Sequence, residues 1–103
     1  MEKKLDPIDH IAIAVEDITS AVEWYTSQFA CNVAYQDATW AMLEFRNMKM
    51  ALVLPEQHAA HVAFQANDLP KFGTVATHRD GVRYVYTQDP FDNTVEIVER
   101  DDG

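Results

Sequence analysis

Residues 10–18 read His-Ile-Ala-Ile-Ala-Val-Glu-Asp-Ile, and residues 61–69 read His-Val-Ala-Phe-Gln-Ala-Asn-Asp-Leu. The two stretches align without a gap, so that His10 matches His61 and the two aspartates also coincide. Each begins with side chains that alternate in size, as in a strand, and ends on an Asp before an apolar residue, as at a helix N-cap. The repeat therefore predicts two strand-to-helix units, each with a histidine at the start of its first strand.

Apolar residues recur at helical spacing after each of the two aspartates, which predicts one amphipathic helix in each unit. Pro70 is compatible with the second helix because the first helical turn has no amide partner to lose, whereas Gly73 weakens that helix. The apolar set of the first helix is Ile18, Ala21, Val22, Tyr25 and Phe29, and that of the second is Leu69, Phe72, Val75 and Ala76.

Further stretches have the composition of strands, namely residues 32–36, 39–45, 48–54, 82–87 and 94–99. The second unit has room for fewer strands, because residues 82–88 offer 7 positions where residues 32–45 offer 14. We expect an α+β fold with a mixed sheet in a single domain spanning residues 1–103. It would hold two tandem βαβββ-type modules, about residues 7–55 and about residues 60–100, with the second module one strand short.

The composition narrows the range of partners. Lys and Arg number 8 against 17 Asp and Glu, so the formal net charge is −9 and disfavours contact with nucleic acid or anionic lipid. No apolar run approaches the roughly 18 residues of a membrane span, and we expect a cytoplasmic protein with no membrane partner. Cys31 is the single cysteine, which we interpret as a small buried hydrophobe.

Strand alternation points to a group of metal-ligating side chains. His10 and His61 would each lie on the strand face that carries small residues, opposite the bulky face that meets a helix. Glu96 would project from the middle of the last strand, where a carboxylate needs a partner. Two imidazoles and a carboxylate form the set that binds a divalent metal and leaves coordination positions open. The alternative is that both histidines are hydrogen-bonded or partly exposed and that Glu96 pairs with Arg83.

The other histidines are interpreted differently. His58 falls in the linker between the units, and His78 falls near the end of the second predicted helix. Solvation, or stabilisation of a helix end, is the ordinary role for a histidine in such positions.

At these residues the chain resembles the vicinal oxygen chelate superfamily, which includes glyoxalase I, extradiol dioxygenases, methylmalonyl-CoA epimerase and bleomycin resistance proteins. The resemblance covers about residues 8–99 and is carried by residues 9–17 with Tyr25, by residues 61–64, and by Asp-Pro-Phe-Asp-Asn-Thr-Val-Glu-Ile at 89–97. It implies paired modules whose sheets curl around a cup-shaped metal site. The ligand positions that it implies are His10, His61 and Glu96.

Two departures from the superfamily pattern bear on function. Aligning Asn47 with Asn93 puts Met50 at the position of the fourth ligand of glyoxalase I, so a carboxylate is missing and glyoxalase I becomes less favoured. The missing strand would leave the cup open, and we therefore expect a homodimer whose second subunit helps to wall the site. Asp92 stands where the superfamily usually has Gly, and Asp tolerates the left-handed conformation better than most residues.

The resemblance implies a metal-dependent enzyme, either dioxygenase-like or lyase/isomerase-like, that chelates a small substrate through adjacent oxygens. The metal would be Fe, Mn, Ni, Co or Zn, and no organic cofactor is expected. Candidates for the general base are Glu44, Tyr84 and Tyr86, each of which could equally be ordinary strand surface or core.

Other readings remain open. Trp40, Met42, Met48 and Met50 could line an apolar pocket or form part of the core. A metal-free protein that binds and sequesters a small antibiotic-type molecule is the alternative function, and an inactive interaction domain is a third.

Overall fold

The computed structural model describes residues 5–78 and 81–99, and it confirms the α+β fold class. These residues form one α-helix and a mixed sheet of eight strands that is not closed. The elements are β1 (Ile8–Ala14), α1 (Ile18–Gln28), β2 (Asn32–Gln36), β3 (Trp40–Glu44), β4 (Lys49–Val53), β5 (His61–Ala66), β6 (Ala76–Thr77), β7 (Arg83–Gln88) and β8 (Thr94–Glu99). The chain divides into two compact units, one of which is His10–His61. Over the described ranges, no helix is long and apolar enough to cross a membrane.

In the unit His10–His61 the strand order is β2-β3-β4-β1. Strand β1 runs parallel to β4, and the other two pairs are antiparallel. Ile13 packs against the helix core, whereas Ala12 packs with Ala51 and Val53 on the other face of the sheet. The predicted division of β1 into a bulky helix-facing side and a small-residue side is therefore confirmed, and His10 shares the face of Ala12.

Helix α1 begins where the repeat predicts. Asp17 is its N-cap, with extended backbone angles and a carboxylate that accepts a hydrogen bond of 2.8 Å from the Ser20 amide. Ile18 and Val22 are buried, as the helical spacing predicts, and they pack against Leu43 and Leu52 of the sheet. Phe29 follows the last helical residue and is 52% exposed, so the buried face of the helix ends before it.

In the other unit the strand order is β5-β8-β7-β6. The second helix in this unit is much shorter than predicted. Only Leu69–Lys71 is helical, as a single 3-10 turn. Gly73 has a φ of 152°, a conformation that helices exclude, and a Cβ at this position would lie 3.1 Å from Val85 Cγ1. Of the predicted apolar set, Leu69 is buried with Val85 and Ile97, Phe72 and Val75 pack against this cluster, and Ala76 is exposed.

The strand that we expected to be missing from the second module is present in reduced form. Strand β6 has only two residues, Ala76–Thr77, and pairs antiparallel with β7. Few residues lie between Gly73 and β7. The chain in this region therefore forms only a very short strand. This short strand is what brings His78 beside β7.

The turn that leads into β8 agrees with the sequence-based expectation. Asp92 adopts a φ of 68°, the left-handed conformation in which the superfamily usually has Gly. The Asp89 carboxylate accepts hydrogen bonds from the Phe91 and Asn93 amides and from the Asn93 side chain. These bonds lower the pKa of Asp89 and fix the start of the strand that carries Glu96.

A second aspartate organises the turn between β2 and β3. The Asp37 carboxylate accepts hydrogen bonds from the Tyr35 hydroxyl at 2.5 Å, from the amide and hydroxyl of Thr39 and from the Trp40 amide. The Tyr35 bond contributes most, and together these bonds hold the pKa of Asp37 well below its usual range.

We expect Asp37→Ala to lower the midpoint of thermal unfolding at neutral pH. Because the pKa is lower in the folded state, the carboxylate stabilises the fold above its ordinary pKa of about 3.9, and this contribution is lost as the pH falls through the folded value. Thermal melts from pH 7 to pH 2 should show the variant and the wild type converging at low pH. Asp6→Ala, at an exposed position, is the control. A gap that stays constant with pH would contradict the prediction.

Candidate metal centre

His10 and His61 lie close together, as the repeat predicts. His10 is 9% exposed and His61 is 8% exposed, and their ring centroids are 5.8 Å apart with the planes at 73°. The small residues that follow on the same faces, Ala12 and Ala63, are also buried. The two imidazoles therefore meet in a place from which water is largely excluded.

A backbone carbonyl determines which ring nitrogen of neutral His61 carries the proton. Its Nδ1 lies 2.7 Å from the Ala59 carbonyl oxygen, which can only accept a hydrogen bond. The proton of neutral His61 consequently sits on Nδ1, and Nε2 presents a lone pair. Metal-ligating histidines are oriented by this kind of bond on the nitrogen that does not bind the metal.

Glu96 is 2% exposed and lies in β8, on the face opposite Val95 and Ile97. Its Oε2 lies 2.7 Å from His78 Nε2. The alternative prediction, that Glu96 pairs with Arg83, is wrong, because Arg83 contacts the Glu99 carboxylate at 3.4 Å instead. The alternation of side chains along β7 explains the error. Tyr86 lies directly across from Glu96, and Arg83, an odd number of residues before Tyr86, points to the other face of the sheet.

Three buried side chains could supply metal ligands. His10 and His61, whose ring centroids are 5.8 Å apart, lie in one unit, and Glu96 lies in β8. Two imidazole nitrogens and one carboxylate oxygen suit Fe, Mn, Co, Ni or Zn and leave coordination positions for a substrate. The residues therefore fit a divalent metal, both in donor type and in the lone pair that Ala59 secures on His61.

Solved structures with the same fold are numerous. A glyoxalase/bleomycin resistance protein/dioxygenase superfamily member from Vibrio splendidus 12B01 aligns with a TM-score of 0.73 at 8% identity, covering 93% of this chain and 100% of its own. Streptomyces coelicolor methylmalonyl-CoA epimerase aligns with a TM-score of 0.71 at 20% identity, covering 96% and 97%. The chain has the vicinal oxygen chelate fold. A hypothetical protein from Bacillus halodurans C-125 shares it, with a TM-score of 0.73 at 15% identity and coverage of 97% and 98%.

Comparison of sequences gives no further relatives. No protein-family model matches the chain, and no curated protein matches it. The expected resemblance to the vicinal oxygen chelate superfamily is thus confirmed at the level of the fold.

The prediction that Met50 occupies the fourth ligand position of the vicinal oxygen chelate fold is wrong. Met50 packs against the helix core and therefore faces away from His10. The β4 residues on the face of His10 are Lys49, which lies opposite His10, Ala51, which lies opposite Ala12, and Val53, which lies opposite Ala14. The conclusion that β4 offers no carboxylate is unchanged, and an exposed lysine stands beside His10 instead.

The three expected general-base candidates fall in two places. Glu44 lies across β4 from His10, opposite Lys49 in the register, and so about two strand spacings, roughly 10 Å, from the histidine. Tyr84 stacks on the His78 ring with centroids 3.6 Å apart, and Tyr86 lies directly across from Glu96. All three share strand faces with proposed ligands.

The chemistry of Tyr86 argues against a role as a base. Burial and the negative charge of Glu96 raise the pKa of the Tyr86 phenol, so the hydroxyl keeps its proton at neutral pH and can donate it in a hydrogen bond. Tyr86 also lines a shallow depression of about 510 Å³ together with Thr87, Gln88 and Thr94.

The aromatic and sulfur-containing residues divide between the two faces of the sheet. Trp40 and Met42 pack against Ala12 and Ala51, on the face of His10, whereas Met50 belongs to the helix core. Trp40 also stacks on Tyr35 with ring centroids 4.6 Å apart. Trp40 and Met42 therefore supply apolar surface on the His10 face.

Proposed function

We propose that the chain is a divalent-metal-dependent enzyme of the vicinal oxygen chelate superfamily, with His10, His61 and Glu96 as the metal ligands. The observation that carries the proposal is the close pair of buried histidines, His10 and His61, whose ring centroids are 5.8 Å apart, and Glu96, also buried, is proposed as the third ligand. Two imidazole nitrogens and a carboxylate oxygen are ligand types that a divalent transition metal or zinc accepts.

The protein residues prepare the site for that cation. The Ala59 carbonyl keeps the His61 proton on Nδ1, so that Nε2 is available without a proton first being released. When bound, a divalent cation supplies Lewis-acid stabilisation of the negative charge that develops on substrate oxygens. Tyr86, whose phenol remains protonated beside Glu96, is placed to donate a hydrogen bond to a substrate oxygen.

We propose a small substrate that binds through adjacent oxygens, in a dioxygenase-like or lyase/isomerase-like reaction. Support comes from the open coordination positions that a two-histidine, one-carboxylate ligand set leaves on a divalent metal. The epimerase from Streptomyces coelicolor has the same fold, and its solved structure is in complex with 2-nitronate-propionyl-CoA. The metal would be Fe, Mn, Ni, Co or Zn.

Elemental analysis of protein purified without an affinity tag or chelator tests the metal proposal. We expect near-stoichiometric metal, or uptake of one equivalent of added Fe(II), Mn(II), Ni(II), Co(II) or Zn(II). Binding should also raise the midpoint of thermal unfolding, since a ligand that binds the folded state alone stabilises it. A protein that takes up none of these ions would contradict the proposal and favour the metal-free binding protein.

We further propose that the protein acts as a homodimer in the cytoplasm. Strand β2 lies at the edge of the sheet, and all five of its residues are exposed, among them the apolar side chains of Val33 and Tyr35. An exposed edge strand with apolar side chains is a surface that a second subunit can cover.

A further inference from the structure

His78 stands next to Glu96 although its sequence position predicts an ordinary solvated residue. His78 Nε2 lies 2.7 Å from Glu96 Oε2, and the His78 side chain is 33% exposed while that of Glu96 is 3% exposed. An ionised carboxylate can only accept, so Nε2 carries the proton and donates it. A hydrogen bond to a carboxylate at this distance is a strong one.

The His78 ring is held in place from several sides. It stacks on Tyr84 with centroids 3.6 Å apart and planes at 12°. Its backbone amide donates to the Val82 carbonyl, and its own carbonyl accepts from the Gly81 amide. The preceding strand β6 pairs with β7 at Ala76 and Tyr84, which places the imidazole over the face of Glu96. Because the His78 side chain is already restrained, little further conformational entropy is lost when it holds Glu96 in place.

We propose that His78 is a positioning residue for the metal ligand Glu96, an inference that rests on the proposed metal site. By donating to Oε2, His78 restrains the buried carboxylate and fixes its rotation. Partners of this kind that hold a ligand from behind are generally worth about 10- to 100-fold in metal affinity. His78 itself is not one of the proposed ligands.

The test compares the affinities of variants for Zn(II) and Co(II), measured by competition with a chromophoric chelator. We expect His78→Ala to weaken binding by about 10- to 100-fold. His78→Gln should stay close to the wild type, because its amide nitrogen can occupy the place of Nε2, whereas His78→Asn is too short and should resemble alanine. His58→Ala, at an exposed histidine in the linker, is the matched control and should bind as the wild type does.

The pair of amide variants separates positioning from simple stabilisation of the fold. Both remove the ring that stacks on Tyr84, so a purely structural role would affect them alike, and both remain informative even if the alanine variant does not fold. The visible absorption spectrum of bound Co(II) should be preserved in His78→Gln and altered in His78→Asn.

The possible failures are distinguishable. Equal affinity in His78→Ala and the wild type, or no difference between His78→Gln and His78→Asn, would overturn the role of His78 while leaving the metal site intact. A wild-type protein that binds neither Zn(II) nor Co(II) would overturn both this inference and the proposed function.

Discussion

Replacing His61 with alanine is expected to abolish stoichiometric metal binding, with a loss of affinity well beyond the roughly 100-fold limit seen for outer partners of a ligand. The variant removes one of the three proposed protein ligands and also the imidazole whose tautomer Ala59 secures. Metal content after purification, followed by titration with Zn(II) and Mn(II), is the measurement. His10→Ala and Glu96→Gln should show the same loss.

His58→Ala is the control for this experiment. His58 lies three residues before His61, is exposed, and is not one of the proposed ligands. Its replacement should leave metal content unchanged. If His61→Ala retained metal at the wild-type level while folded, the ion would be bound elsewhere and the proposed ligand set would be wrong.

Replacing Leu52 with alanine is expected to destabilise the protein by about 2–5 kcal/mol, the usual cost of such a cavity in a well-packed core. Leu52 is fully buried in β4 and packs with Ile18, Val22 and Leu43 between helix and sheet. Urea denaturation followed by circular dichroism measures the loss as a lower midpoint with an unchanged slope. For a small domain, this is a large part of the total stability.

Leu5→Ala provides the matched comparison for the leucine prediction. Leu5 is 78% exposed, so its truncation should change the free energy of unfolding by less than about 0.5 kcal/mol. A loss below 1 kcal/mol for Leu52→Ala, by the same measurement, would mean that the helix does not pack on β4 as described.

The sequence carried the information on strand faces because side chains alternate strictly along a strand. That rule placed Ile13 in the helix core and His10 on the face of Ala12, and it separated Glu96 from Val95 and Ile97. The repeat supplied the rest, since two equivalent strand starts put equivalent histidines in equivalent places. These features depend on local periodicity, which a single sequence displays directly.

The errors have causes that local periodicity does not contain. The position of Met50 came from aligning two turns, and a one-residue slip in a strand moves a side chain to the opposite face. The second helix was lost because Gly73 adopts a conformation that no helix allows and lets the chain approach Val85 closely. The contact of His78 with Glu96 depends on how a two-residue strand pairs, for which composition gives no signal.

The hydrogen bond between His61 and Ala59 links a buried ligand to the protein surface. Ala59 belongs to the stretch of residues 55–60, all of which are exposed, yet its carbonyl decides which nitrogen of His61 carries the proton. Linker sequence is thus an independent means of tuning the site. Insertions beside Ala59 that shift its carbonyl would change the affinity of the proposed site for metal although no proposed ligand is replaced, whereas truncation of the exposed His58 side chain leaves that carbonyl in place.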